Sequence, residues 1–456
     1  MKPSRFLRPI SVTLALTSLF LAATVDASGP LYIGSPVDLP GLPFHWANLP
    51  NNTLNYWTDL GTLGTQNKAD ADSLVANAFA AWQGVSTQTL KFSKAEDLSA
   101  DVNASNILAV LNAAQDCTMP PASPAGGIAK QVTIIYDTDG SAMRALGEDP
   151  TTVLGFADAF CFAHNSTDNY FQRGAAMLNG LFATGQYLTD LQGVMTHEFG
   201  HMVGLDHSQI NLDCLNDPQS CVNDGSALGV PIMFPVLIDT KTTPTADDAA
   251  GVSNLYPSST YASTTGEIKG HVYFSDGVTP AQGFNVIARN VTNGRVVAVS
   301  NVSGDLFTGC VGVPVSVLPP IRDSSGNLTN VDCDPNNPAS GSGSWDQSLI
   351  GVYDIKGLPP GTYTVEVEAI NNSGQIPFTG GSGLNPIGMY GFQFPLPQNP
   401  GAAAPCSPEY LSTSTASCCS SSATQISVNA GQAVTTKTDI ILINTPPRYD
   451  AWEDEP

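Results

Sequence analysis

The chain has 456 residues, too many for one typical core, and its composition, 42% hydrophobic, does not point to disorder. Asp+Glu at 40 against Lys+Arg at 17 give a net charge of −23. Binding nucleic acid or an anionic membrane would bring like charges together, which argues against both as partners.

The first residues carry Lys2, Arg5 and Arg8, then an apolar run from Ile10 to Ala23, then the small-residue pattern Val25-Asp26-Ala27. That order is the pattern of a secretory signal peptide over 1–27, cut after Ala27. A membrane anchor is the competing reading. The run is short for a span, however, and no later stretch of about 20 apolar residues occurs. The expectation is a secreted chain, extracellular or periplasmic, without a stable membrane anchor.

From Leu54, L-N-Y-W-T-D-L-G reads as a strand ending in glycines, and Leu74, Ala78 and Trp82 recur at intervals of four, as on an amphipathic helix. K-Q-V-T-I-I-Y-D-T-D-G is a β-branched strand entering a turn, and Ala175 to Gly180 is another extended run. Thr189 and Gln192 have capping-box spacing ahead of Leu191, Val194 and Met195, which predicts a helix from Thr189 to about Val203. Strands mixed with two long helices indicate an α/β or α+β domain. After Pro257 the Ser/Thr-rich stretch 258–265 reads as a linker, and short strands with turn residues between them predict an antiparallel β-sandwich over 266–445. Between Cys310 and Trp345, and between Pro377 and Ser422, Gly/Pro/Ser/Asn-rich insertions read as surface loops, and 446–456 as an acidic tail.

Nine cysteines in an exported chain permit disulfides. Proximity in sequence favours Cys214 with Cys221, then Cys117 with Cys161, Cys310 with Cys333, and Cys406 with Cys418 or Cys419. An odd number leaves at least one thiol unpaired or bridging to another chain.

The chemistry concentrates in T-H-E-F-G-H-M-V-G-L-D-H-S, Thr196 to Ser208, which holds three of the six histidines. On a helix His197 and His201 project from one face, close enough to share a tetrahedral ion. Gly204 can take the left-handed conformation that ends the helix, and the turn can bring His207 back as a third ligand. Glu198, beside the metal rather than on it, is placed to act as general base for a bound water. One zinc ion is the expected cofactor, because ferrous iron oxidises readily outside the cell.

With these residues in hand, the chain resembles the metzincin metalloproteases, and among them the matrixins. Ser208, directly after the third histidine, fits that branch. V-P-I-M-F-P resembles the Met-turn, which implies Met233 as an apolar floor beneath the metal and Pro235 leading into the wall of the substrate pocket; plain core packing is the alternative for Met233. T-A-D-D-A-A-G-V-S-N-L-Y-P, with Asp247 and Asp248, resembles the closing helix, and the likeness runs from Phe44 to Tyr256. The resemblance implies a twisted mixed sheet with two long helices and a C-terminal helix, and activity as a zinc metalloendopeptidase on protein or peptide substrates. It also implies an edge strand that pairs with extended substrate, for which Ala175, Ala176, Met177 and Leu178 stand at the right place in the sequence. Phe234, Val236, Leu237 and Ile238 suggest an apolar pocket.

Two features of animal matrixins are not expected here. The short stretch between Ala27 and Phe44 has no cysteine to cap the zinc, and only His45 and His164 remain for a second, structural zinc. Calcium at Asp137 and Asp139, where carboxylates crowd a turn, stands level with an ordinary solvated turn. The C-terminal part, with G-E-I-K-G-H-V-Y and G-L-P-P-G-T-Y, resembles the carboxypeptidase regulatory-like or transthyretin-like sandwich, an accessory module of exported bacterial proteins. The whole is thus a multidomain chain: signal peptide 1–27, α+β catalytic domain 28–257, linker 258–265 and all-β sandwich 266–445. The other function in view is a secreted binding or adhesion protein whose sandwich is the working part.

Overall fold

The computed structural model describes residues 29–34, 38–39, 41–118, 130–281, 283–306, 347–369, 408–412, 417 and 420–443. The signal-peptide stretch, the acidic tail and the pairings of Cys310, Cys333, Cys406, Cys418 and Cys419 lie outside these. The other two expected pairs, Cys117–Cys161 and Cys214–Cys221, are both bridged.

Elements of the first part run β1 (Phe44–His45), β2 (Thr53–Thr58), α1 (Lys68–Gln83), β3 (Lys91–Asp97), α2 (Ile107–Ala114), β4 (Val132–Asp137) and α3 (Ser141–Leu146). Then come β5 (Gly155–Phe160), β6 (Ala163–His164), β7 (Asn169–Tyr170), β8 (Arg173–Asn179), α4 (Leu188–Met202), α5 (Pro218–Asp224) and α6 (Ala246–Leu255). The main sheet has the order β3-β2-β4-β8-β5, parallel except for β5, which pairs antiparallel with β8. β4 and β8 are buried at every position, as strands covered on both faces are, and apolar residues fill most of both, with Thr133 and Asp137 in β4 and Arg173 and Asn179 at the ends of β8.

α1 begins where Asn67 accepts the Asp70 N–H, and it buries Ala71, Val75, Ala78, Phe79 and Trp82. Leu74 is only half-buried, so the stripe lies one position from the expected one. The buried face meets α4: Phe79 stacks on Phe199 with ring centroids 4.1 Å apart, and the Trp82 indole donates to Thr196 O at 2.8 Å. α4 starts at Leu188 with Tyr187 at its N-cap, so Thr189 lies inside the first turn and makes no capping box. Gln192 instead donates to Leu74 O, tying the two long helices.

Ser258–Thr265 is not a loose spacer. It forms the short helix α7 (Tyr261–Thr264), whose buried Tyr261 donates to Asn254 of α6. The second part follows with β9 (Gly266–Tyr273), β10 (Phe284–Asn290), β11 (Ala298–Val302), β12 (Val352–Leu358), β13 (Gly361–Ala369), β14 (Glu409–Tyr410), β15 (Ile426–Val428), β16 (Ala433–Val434) and β17 (Ile440–Ile441). One sheet orders β11-β10-β13-β14, with β15 also on β13, and the other β12-β9-β16, with β17 also on β9. Both line one core, with Val286, Val365 and Tyr363 from the first and Ile268, Ile355 and Ile440 from the second. β14 falls inside the expected Pro377–Ser422 loop, and Leu411 after it is buried, so that loop ends earlier than its composition suggests. G-L-P-P-G-T-Y is the corner where the chain leaves one sheet for the other: Gly357 has φ +78° and the buried Tyr363 hydroxyl donates to Pro359 O at 2.6 Å.

Candidate metal centre

α4 presents His197 and His201 one turn apart, and Gly204 ends the run with φ +97°. A side chain at Gly204 would be strained in this conformation and would lie 3.1 Å from the Phe171 ring. Two carbonyls at the helix end, which have no partner within a helix, are taken by side chains from elsewhere: Trp46 Nε1 donates to Met202 O at 2.7 Å and Tyr256 Oη to Val203 O at 2.7 Å. The turn then carries His207 back. Its Nε2 and that of His197 each lie 3.2 Å from His201 Nε2.

This spacing fits a metal ion. Zinc–nitrogen bonds of about 2.0–2.1 Å in tetrahedral geometry place ligand nitrogens about 3.3 Å apart. His197 Nδ1 lies 2.7 Å from Ile232 O and His201 Nδ1 2.8 Å from Leu205 O, so each ring donates outward and points a lone pair inward. Burial lowers the pKa of both, that of His201 to about 3 with a further contribution from His197, so the imidazoles are held in the neutral form that ligates. Lone pairs converging at this distance repel unless a cation lies between them. Among the described residues, these three histidines are the one group of metal-ligating side chains drawn together in this way.

Glu198 lies beside the ligands with its carboxyl buried against β5. Burial raises its pKa to about 8, partly offset by the Ala157 N–H. Met233 is fully buried, and its sulfur packs on α4 at Gly200, between the two helical ligands: a Cβ built on Gly200 would lie 2.1 Å from Met233 Sδ. The turn at Met233 is held by Asp248, whose carboxylate accepts the N–H groups of Ile232 (2.8 Å) and Met233 (3.0 Å), and by Ser208 N donating to Met233 O at 2.9 Å. Ser208 Oγ donates to Asp247 Oδ2 at 2.6 Å. Pro235, Val236, Leu237 and Ile238 line a cleft of about 260 Å³ that opens onto His197 and Glu198. Lys241 closes one side of it, its ammonium donating to the carbonyls of Ala227, Leu228 and Val230.

Two expectations need correction. Ala175, Ala176, Met177 and Leu178 are not at an edge: β8 lies between β4 and β5, and among the described residues the outermost strand beside the metal site is β5. Asp137 and Asp139 are not gathered for calcium. Asp137 accepts the N–H groups of Ala142 and Met143 at the start of α3, and Asp139 accepts that of Ser141, so both carboxylates are used in shaping the turn.

Sequence reasoning passed over Gly200, Asp248 as holder of the turn, Lys241 and β5. A glycine inside a helix costs about 1 kcal/mol against alanine, and that cost was the signal that something packs on Gly200.

Three converging imidazoles, a buried glutamate beside them and a methionine packed against the ligand helix make a site able to hold a metal ion. Residues 48–220 match the family model described as matrixin. The chain carries a matrixin-type metzincin catalytic domain and is a zinc metalloendopeptidase. The match ends before Met233 and α6, whose places rest on the geometry above. No curated protein matches the chain. Among the described residues, no helix is long and apolar enough to cross a membrane.

Proposed function

We propose that the protein is an exported endopeptidase that cuts extended protein chains, with His197, His201 and His207 holding one zinc ion and Glu198 as the catalytic base. The observation that carries this is the convergence of three Nε2 atoms at ligand spacing with the Glu198 carboxyl alongside. Zinc, when bound, supplies positive charge that acidifies water and polarises a carbonyl. Glu198 Oε then takes the proton of the attacking water and carries it to the leaving amide nitrogen.

An extended peptide runs alongside β5, the outermost strand of the sheet, and main-chain pairing of this kind gives affinity with little sequence preference. Selectivity then comes from the cleft between Pro235 and Lys241, where a side chain next to the scissile bond fits. Two disulfides accord with an oxidising compartment. Glu198→Gln tests the reading: zinc content stays near one per chain while casein hydrolysis falls by about 10²–10⁴-fold. Equal activity in the variant and the wild type refutes the role of Glu198.

A further inference from the structure

The sandwich lies on the loop between the third histidine and the methionine turn. Arg295 bonds both carboxylate oxygens of Asp213, at 3.0 and 2.9 Å, and Arg289 donates to Asn211 Oδ1 at 2.8 Å. Ile210 packs on Ile287 and Ala298, and Val302 packs on Phe234 and the Cys214–Cys221 bridge. Ala250 of α6 belongs to the sandwich's own core. The contacts are side-chain specific and largely buried, unlike those of a tethered module.

One of them reaches the metal centre. Asp247, 1% exposed, divides its carboxylate between the two parts of the chain. Oδ2 accepts from Ser208 Oγ, while Oδ1 accepts from the N–H of Ser300 at 2.7 Å and its hydroxyl at 3.1 Å. A buried carboxylate needs donors at both oxygens to stay ionised and fixed. Removing those of Ser300 withdraws two of the donors that fix its orientation, which loosens its hold on Ser208, the residue directly after His207. Ser208 N is already fixed to Met233 O, so Asp247 supplies the second restraint on the ligand loop.

We propose that Asp247 is a positioning residue for His207 and that strand β11, through Ser300, holds it in place, so that zinc affinity depends on the docked sandwich. This rests on the zinc endopeptidase reading. It gives the C-terminal part a role in the metal site rather than in attachment.

The test uses the full chain and measures the zinc dissociation constant by competition with a chelating dye. It is run at a temperature where the metal-free variants keep the near-ultraviolet circular dichroism of the wild type, which separates metal affinity from folding. Asp247→Asn and Ser300→Pro should each raise the dissociation constant about 10–100-fold, the usual effect of removing a partner behind a ligand. The N–H of Ser300 points to Asp247 and not to β10, so proline leaves that ladder intact. Should Ser300→Pro fail to fold, Ser300→Ala removes the hydroxyl alone and should give an increase of about threefold or more. Constants within threefold of wild type for the folded aspartate and proline variants overturn the proposal, as does no increase for the alanine variant where it stands in. A wild type that takes up no zinc refutes the endopeptidase reading instead.

Discussion

Gly200→Ala separates the floor described here from ordinary helix energetics, because the two predict opposite signs. In an unobstructed helix interior the change stabilises by about 0.8–1.0 kcal/mol. Here the added carbon would lie 2.1 Å from Met233 Sδ and 2.8 Å from Trp82 Cζ2. Non-bonded heavy atoms settle at about 3.5–4.0 Å, so the thioether must retreat by about 1.4 Å or more. Trp82 cannot give way, being fully buried with its indole bonded to Thr196 O. Overpacking of this kind costs about 1–3 kcal/mol and sometimes more, so the helix gain is cancelled and the net loss runs up to about 2 kcal/mol. For a domain of this size a loss of about 2 kcal/mol is a fall in melting temperature of about 4–8 °C. The displaced turn also carries Ile232 O, the acceptor for His197 Nδ1, so zinc should be lost to a weaker chelator than in the wild type. Calorimetry of the metal-free and zinc-loaded forms with a chelator titration measures both. A melting temperature raised by a few degrees, with zinc retention unchanged, refutes the packing argument.

Three further outcomes follow from the same geometry. Asp248→Ala strands the N–H groups of Ile232 and Met233 in a buried turn, so urea unfolding should show a loss of about 2–6 kcal/mol, at about 1–3 kcal/mol for each orphaned group; a loss under 1 kcal/mol contradicts the role given to that carboxylate. Lys241→Met leaves three carbonyls at the cleft without their cation, and cleavage-site mapping in a peptide library should show a changed preference next to the scissile bond; an identical preference removes Lys241 from the pocket. Asp158, where Tyr32 donates to both carboxylate oxygens, is raised by burial to about 7. The folded state therefore binds a proton that the unfolded state, with an ordinary pKa near 3.8, has released, and the stability this contributes is lost as pH rises between those values. Urea midpoints of Asp158→Asn between pH 4 and 7 should fall less steeply than those of the wild type, and parallel slopes would count against it.

The metal ligands were legible because their geometry is local. Spacing of four on a helix and a glycine three residues later fix where His197, His201 and His207 go, with no distant contact needed. The sandwich strands were legible where one face is buried, as in Gly266–Tyr273, whose burial alternates residue by residue. α2 was not, because I-L-A-V-L-N-A-A is apolar nearly all round and shows no helical period. β5 was missed for a related reason: G-F-A-D-A-F has no β-branched residue, whereas the apolar run of β8 drew attention although a strand buried on both faces cannot be an edge. Thr245 and Asp248 form a capping box at the start of α6, but the partners that tie Asp247 and Asp248 to the metal site and the sandwich lie 15 to 53 residues away, and no spacing rule reaches those.

The side chains that cap the end of α4 come from opposite ends of the first part of the chain. Trp46 donates to Met202 O across 156 residues, while Tyr256, 210 residues beyond Trp46, donates to Val203 O and accepts the Trp46 N–H. Closing loops of this length is the slow part of folding, because the entropy is lost before the contact is made. The helix bearing the first two histidines can form early, but its end cannot be finished until Tyr256 has been synthesised and brought back. A nascent chain interrupted before that point lacks a completed centre, so the order in which the chain emerges itself delays the onset of cutting.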